Sequence, residues 1–208
     1  MPELQRLRAD HAAAVLAFEL ANRAYFTASI SDRGDEFYDQ FPDRHRAMLA
    51  EQEAGEAAFY VLVADDGSVL GRFNLYDIKD GTAVLGYRVA QDVAGRGVAT
   101  ATVRELCGLV AAQYGLRTLK AATSHDNAAS QKVLVRAGFI PVGPAGPADL
   151  GGKQGTWYQR DLDQPLRRSS RANENATRDA KFLELGTMVS EGLCSAGGQS
   201  SGQLSEAS

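Results

Sequence analysis

Cysteine, net positive charge and long apolar runs are what this sequence has least of. Only Cys107 and Cys194 occur among its 208 residues, and neither has the spacing of a metal site or of a disulfide framework. No metal is expected, and a reducing, cytoplasmic setting is the default. Acidic residues outnumber basic ones, 26 to 22, for a net charge of −4. General nucleic-acid binding wants a basic face, so no nucleic-acid partner is expected, although a small basic patch around one anion stays open. No apolar run approaches bilayer-spanning length, so no membrane partner is expected either. Residues 1–18 are too charged and too periodic for a signal peptide. No internal repeat is present. The Walker pattern Gly-x-x-x-x-Gly-Lys-Ser/Thr is missing, which excludes a P-loop nucleotide site.

What is present is enough apolar residue, 44%, to build a core without staples. Residues 3–8 alternate and predict a short strand. Asp10 is placed to cap a helix carrying Ala14, Val15 and Phe18. Residues 22–26 predict a further helical turn, 30–35 a loop, and 36–53 a longer helix interrupted at Pro42. The period then changes. Residues 57–64, 69–78 and 82–90 are strand-like, and the segments between them, Asp65-Asp66-Gly67-Ser68 and Lys79-Asp80-Gly81, are tight-turn signals. Short turns make antiparallel neighbours, so these three strands form a meander. A helix follows over 98–114, stopped by Gly115. Next come a strand over 116–123, a helix over 128–136, a strand over 139–142, a Gly/Pro-rich loop and a last strand over 156–161. Residues 1–163 read as one domain. Residues 164–208 are polar and Gly/Ser-rich and read as a largely disordered tail, compatible with a short helix around 178–188.

The stretch 85–105 stands out: a strand, a small loop holding Gly95, Arg96 and Gly97, and a helix that opens on Val98, Ala99 and Thr100. The first N–H groups of a helix lack partners and its dipole favours negative charge, so this is an anion site. A glycine-rich turn that only connects strand to helix fits the same residues. A dinucleotide fingerprint fits poorly. Thr100 stands where a third glycine belongs, and the preceding strand ends a meander instead of starting a βαβ unit.

The phosphate-binding motif of the GNAT superfamily of N-acetyltransferases reads Gln/Arg-x-x-Gly-x-Gly/Ala. This chain has Ala94-Gly95-Arg96-Gly97-Val98-Ala99, so it resembles the motif from Gly97 to Ala99 and departs at Ala94. Downstream, Asn127, Ser130, Gly138 and Phe139 resemble the Asn-x-x-Ser, helix and Gly-Phe of the same family. This version, with Gly86-Tyr87-Arg88-Val89 before the loop, is similar to the RimJ/RimL-type, ribosomal-protein-alanine N-acetyltransferase-like branch. The resemblance covers about residues 3–162. It implies a mixed α/β fold: a central, mostly antiparallel sheet of about seven strands with helices on both faces, in which only the fourth and fifth strands run parallel and splay apart.

It also implies acetyl-CoA as donor. The CoA pyrophosphate would lie on the backbone of Gly95, Arg96, Gly97, Val98, Ala99 and Thr100, helped by the Arg96 guanidinium and the Thr100 hydroxyl. The pantetheine arm would pair with the backbone of Arg88, Val89 and Ala90 like an added strand, and an N–H there would steady the thioester oxyanion. Asn127 would bond pantetheine or cap its helix. Ser130 would assist the leaving thiolate, although packing in the first helical turn fits it too. The tyrosine that some relatives carry seven residues after the asparagine is Leu134 here, and the glutamate that many carry just before the Gly-Tyr is missing from Val84-Leu85. Water, or a carboxylate such as Glu19, Asp32, Asp35 or Glu36, is left as the base. His11, His45 and His125 read as structural or surface residues, and Cys107 as buried and inert.

The acceptor is an amine, and the resemblance places its cleft along about residues 22–41 and 143–155. Tyr25, Phe26, Phe37, Tyr38 and Phe41 lie there among carboxylates, which suits a cation-bearing guest and equally a helix packing its aromatics inward. A protein N-terminal α-amine and a small-molecule amine both remain open, as does a CoA-binding module without transfer. The expected state is monomer or homodimer.

Overall fold

The period-two runs of residues 57–90 fold into the meander that their turn residues predict. In the computed structural model, which describes residues 1–30 and 32–162, they are β2 (Ala58–Val63), β3 (Val69–Lys79) and β4 (Thr82–Val89). Between β3 and β4, Asp80 and Gly81 both take positive φ, 53° and 75°, as a two-residue hairpin turn matched to strand twist demands. The tail expected over 164–208, the helix considered near 178–188, and Cys194 lie outside the described residues.

Before the meander come β1 (Glu3–Arg6), α1 (Ala12–Ala21), α2 (Arg23–Thr27), α3 (Asp35–Asp39) and α4 (Phe41–Ala54). The helix expected over 36–53 is therefore two. Pro42 falls in the first turn of α4, where its missing N–H has no bond to lose. A proline read as an interruption in fact marks a start. After the meander come α5 (Val98–Tyr114), β5 (Thr118–Ser124), α6 (Ala128–Arg136), β6 (Ile140–Ala145) and β7 (Gly155–Asp161).

The seven strands are ordered β1-β2-β3-β4-β5-β7-β6. Every neighbouring pair is antiparallel except β4 and β5. Side chains alternate across the sheet, and each face builds its own core. On one face Tyr60, Phe73, Leu85 and Leu119 pack against Leu106 and Val110 of α5 and Leu134 of α6. On the other, Phe59 and Val61 pack against Phe18 of α1, Phe26 of α2, and Phe41 and Met48 of α4. Full burial of each such side chain stabilises the fold by roughly 1.5–3 kcal/mol.

The feature that positions the site is an incomplete pairing. β4 and β5 are in register only from Thr82 to Val84 against Thr118 to Lys120. Beyond Val84, β4 keeps β3 on one side, and no strand pairs with it on the other among the described residues. β5 meanwhile continues to Ser124 against β7 alone. The sheet is splayed between its fourth and fifth strands.

Candidate active site

The backbone of β4 beyond Val84 is the first wall of the gap. Opposing residues in an antiparallel pair alternate between facing the partner strand and facing away. Ala90 donates its N–H to the Leu70 carbonyl at 2.9 Å, so the even-numbered residues of β4 face β3. Tyr87 and Val89 are left with their N–H and C=O groups towards the gap. Of the three residues expected to meet pantetheine, Val89 has free backbone groups there, while Arg88 is turned to β3 and the Ala90 N–H is taken.

At the end of β4 the chain passes a short 3-10 turn, Gln91–Val93, and reaches the glycine loop. Gly95 and Gly97 adopt φ of 76° and 84°, a region that costs other residues strain. Gly97 is the residue that caps α5, and no side chain caps that helix. The N–H groups of Gly95, Gly97, Val98, Ala99 and Thr100 have no acceptor among the described residues. Arg96 is exposed beside them and forms no ion pair among the described residues. Five donors and a cation thus face outward at the positive end of a 17-residue helix.

The third wall is the start of α6. Asn127 caps it, its Oδ1 accepting from the Ser130 N–H at 3.0 Å. The Ser130 hydroxyl lies 3.0 Å from the Tyr87 hydroxyl, which also donates to the Ser130 carbonyl at 3.3 Å. Burial pushes the Tyr87 phenol up to about 12, against a smaller opposing effect of its bond to Ser130. Tyr87 therefore stays protonated throughout the physiological range. Sequence reasoning passed over it, although Gly86-Tyr87-Arg88 in an alternating strand implies that Tyr87 and Arg88 point to opposite faces.

Arg88 points to the α1–α4 face and meets Glu19, one of the carboxylates named as a candidate base, in an ion pair that the sequence did not indicate. Glu19 of α1 is 1% exposed. Its Oε1 accepts from Arg72 at 2.6 Å and its Oε2 from Arg88 at 2.9 Å. Burial alone would raise this carboxyl, but Arg88, Arg72 and Arg33 together hold it below its ordinary value. Burial draws Arg88 down to about 10, partly offset by Glu19, so both partners remain charged at neutral pH. Asn22, also buried, donates to the Phe18 carbonyl and accepts the Gln91 N–H at 2.9 Å, fixing α1 to the turn after β4.

The remaining acidic candidates for a base are occupied. Arg23 binds Asp32 and Asp35, both at 2.6 Å, and Glu36 accepts from Gln40 at 2.7 Å. Three of the five aromatics named in this segment are covered by the protein's own cations. Arg23 lies 4.8 Å over Tyr38, Arg33 lies 4.4 Å over Phe37, and Arg88 lies 5.2 Å over Phe26. Lys153, in the loop between β6 and β7, donates to the Ser29 carbonyl at 2.7 Å. The two segments expected to wall the acceptor cleft therefore touch.

His125 is exposed and lies 3.4 Å from the Thr156 hydroxyl. His11 and His45 are buried and hold the turn after β1, against the Arg8 N–H and carbonyl. Burial raises the Cys107 thiol to about 11, consistent with an inert core residue.

A seven-stranded sheet split at one parallel pair and covered by helices on both faces defines the class, an acyltransferase fold. A model of the acetyltransferase (GNAT) domain matches residues 3–140, and the chain belongs to this GNAT family of acetyltransferases. It is similar to the probable N-acetyltransferase YjcK of Bacillus subtilis, with 27% identity over 136 residues that span 62% of this chain and 75% of the relative. Among solved structures it is similar to the ribosomal-protein-S5-alanine acetyltransferase of Vibrio fischeri, at a TM-score of 0.72 and 18% identity, over 79% of this chain and 96% of that one. It is also similar to Mycobacterium smegmatis RimJ in complex with CoA-disulfide, at 0.69 and 21%, over 78% and 84%. At these identities the likeness is one of fold, and it agrees with the RimJ/RimL resemblance of the motifs. The chain is an N-acetyltransferase by family. No helix among the described residues is long and apolar enough to cross a membrane.

Proposed function

We propose that this chain transfers the acetyl group of acetyl-CoA to the α-amine of a peptide or a small amine of similar basicity. The observation that carries the proposal is the open edge of β4. It faces a gap at Tyr87 and Val89 and leads to five N–H groups, on Gly95, Gly97, Val98, Ala99 and Thr100, that have no acceptor among the described residues. The pantetheine arm fills the gap as a strand would. The pyrophosphate rests on the loop and the first turn of α5, with Arg96 beside it.

The Val89 N–H then points at the thioester carbonyl. The amine nitrogen attacks the carbonyl carbon, and the oxyanion that forms is met by that N–H. As the intermediate collapses the C–S bond breaks, the Ser130 hydroxyl, which Tyr87 holds in place, donates a hydrogen bond to the departing thiolate, and the thiolate takes its proton from solvent. The proton lost by the amine goes to water. Glu19, Asp32 and Asp35 are all tied to arginines, so none is free to act as base. This favours an acceptor that is partly neutral on its own. A peptide α-amine, with a pKa of about 7.7–8.0, meets that condition and an alkyl amine near ~10.4 does not. The ribosomal-protein acetyltransferases among the fold neighbours support the same acceptor class.

Calorimetry with acetyl-CoA, followed by thiol release with a panel of N-terminal peptides and alkyl amines, tests the reading. Saturable binding with release on peptide addition is expected. Binding without release from any acceptor would leave a CoA-binding module, and no binding at millimolar acetyl-CoA would end both.

A further inference from the structure

The cluster around Glu19 has more positive charge than the protein balances. Arg72 and Arg88 share the one carboxylate, one oxygen each. Arg33 interacts with the same carboxylate at longer range, and its guanidinium forms no hydrogen bond or ion pair among the described residues. Two guanidiniums thus share a single buried carboxylate, and the exposed Arg33, stacked over Phe37, adds a third positive charge within electrostatic range. Arg72 is 4% exposed, and its Nε is buried without a hydrogen-bond partner among the described residues. A purely structural core pairs its charges, because a buried cation without a counter-ion is costly. Such a cluster is complete only when another anion enters. The acidic residues nearby do not supply one, since Asp32 and Asp35 are bound to Arg23 at the rim.

The position of the cluster says what that anion belongs to. Arg88 is the neighbour of Val89, whose N–H faces the gap. Its side chain leaves β4 on the α1–α4 face, away from α5 and the glycine loop. The same face carries Phe26 and Phe37, whose rings lie under Arg88 and Arg33, and the contact from Lys153 to Ser29 closes its rim. This face carries parts of the two segments, 22–41 and 143–155, that are expected to wall the acceptor cleft. A cationic guest would meet three guanidiniums and aromatic faces already covered.

We infer that Arg33, Arg72 and Arg88 form an oxyanion subsite, and that the acceptor is an amine carrying a carboxylate or phosphate on the same molecule. The inference rests on the transfer reading above and deepens it. Arg88 and Arg33 offer planar forks with free donors, which suit either oxyanion. Glu19 acts as the fixed counter-charge that keeps Arg72 and Arg88 aligned when the subsite is empty.

Matched acceptors test it. Alanyl-glutamate amide is compared with alanyl-glutamine amide, and alanyl-phosphoserine amide with alanyl-serine amide, by kcat/KM in thiol release. The acidic member of at least one pair is expected to be better by about tenfold or more, and the pair that shows it names carboxylate or phosphate. Arg33→Gln, in an exposed loop, should bring that ratio close to one, and Arg33→Glu should invert it, with Tm unchanged. A second readout does not depend on turnover. N-acetylalanyl-glutamate amide or its phosphoserine counterpart should bind more tightly than its neutral isostere in calorimetry, with or without CoA, and Arg33→Gln should remove the difference. Equal kcat/KM within both pairs alongside active transfer overturns the subsite and leaves the transfer reading standing. Discrimination in product binding without any transfer does the reverse. Discrimination that survives Arg33→Gln also overturns the assignment.

Discussion

Tyr87 of β4 and Ser130 of α6 meet hydroxyl to hydroxyl at 3.0 Å, at the place where the sheet parts. Tyr87 is packed flat against Phe73, with ring centroids 6.0 Å apart, so its phenol is held in position. With its phenol raised to about 12, it can orient Ser130 but does not ionise near neutral pH. Ser130→Ala should slow turnover by roughly 10–100-fold and leave acetyl-CoA affinity within about twofold. Tyr87→Phe should give a smaller loss in kcat, with a pH–rate profile parallel to that of the parent. Pre-steady-state thiol release and calorimetry separate the two quantities. Unchanged turnover in Ser130→Ala would remove it from the reaction.

Glu19 predicts a pH-dependent stability. Its carboxyl is held below its ordinary value of about 4.5 by Arg88, Arg72 and Arg33 in spite of burial. A depressed carboxylate contributes stability that is fully present above its unfolded pKa and is lost as pH falls through the folded value. Glu19→Gln should therefore cost about 3–5 kcal/mol at neutral pH. The gap to the parent should stay constant down to about pH 5 and shrink in more acid solution. Denaturant titrations across that range measure it. A difference that does not change with acid would mean that Glu19 contributes packing and no charge.

Local chemistry was legible in the sequence, and long-range pairing was not. Asp80-Gly81 announces its hairpin, Gly95 and Gly97 their left-handed backbone, and Asn127 its cap, because each effect acts within a few residues. The split between β4 and β5 came from the family resemblance and not from any local signal. Glu19 and Arg88 are 69 residues apart. Alternation in β4 puts Arg88 on one face, but nothing local says which helix brings a carboxylate to it. For the same reason the aromatics and carboxylates of residues 22–41 suggested a cation-bearing guest. In the fold, Arg23 and Arg33 of that segment, with Arg88 of β4, already cover those rings.

The glycine loop predicts two different losses from one position. A Cβ at Gly97 would meet nothing within 4 Å, so only its φ of 84° resists substitution. Gly97→Ala should cost about 1–2 kcal/mol of stability through left-handed strain and weaken acetyl-CoA modestly. Gly97→Glu adds a carboxylate beside the five donors. It should reduce affinity by a further tenfold or more, in line with charge repulsion, and the extra loss should fall as salt is added. Calorimetry at two ionic strengths distinguishes them. Equal affinity for the two variants would place the CoA phosphates elsewhere.

The last prediction concerns the proton that the amine must lose. Asp32 is held below the usual carboxylate range by its bond to Arg23, Glu19 by its three arginines, and His125 is exposed just past the C-terminal end of β5. With Glu19 and Asp32 committed to arginines, the expectation is that only the fraction of acceptor already neutral reacts. The rise of kcat/KM with pH should then follow the acceptor, with an apparent pKa of about 7.7–8.0 for a peptide α-amine. Changing the acceptor should move the profile: an N-terminal residue with a less basic amine shifts the rise to lower pH by the difference in amine pKa. A carboxylate or histidine acting as base would instead add an inflection of its own at a pKa shared by every acceptor. The two cases separate in a set of pH profiles with three peptides of graded basicity. A common inflection below about pH 7 in all three would mean that the protein supplies the base after all.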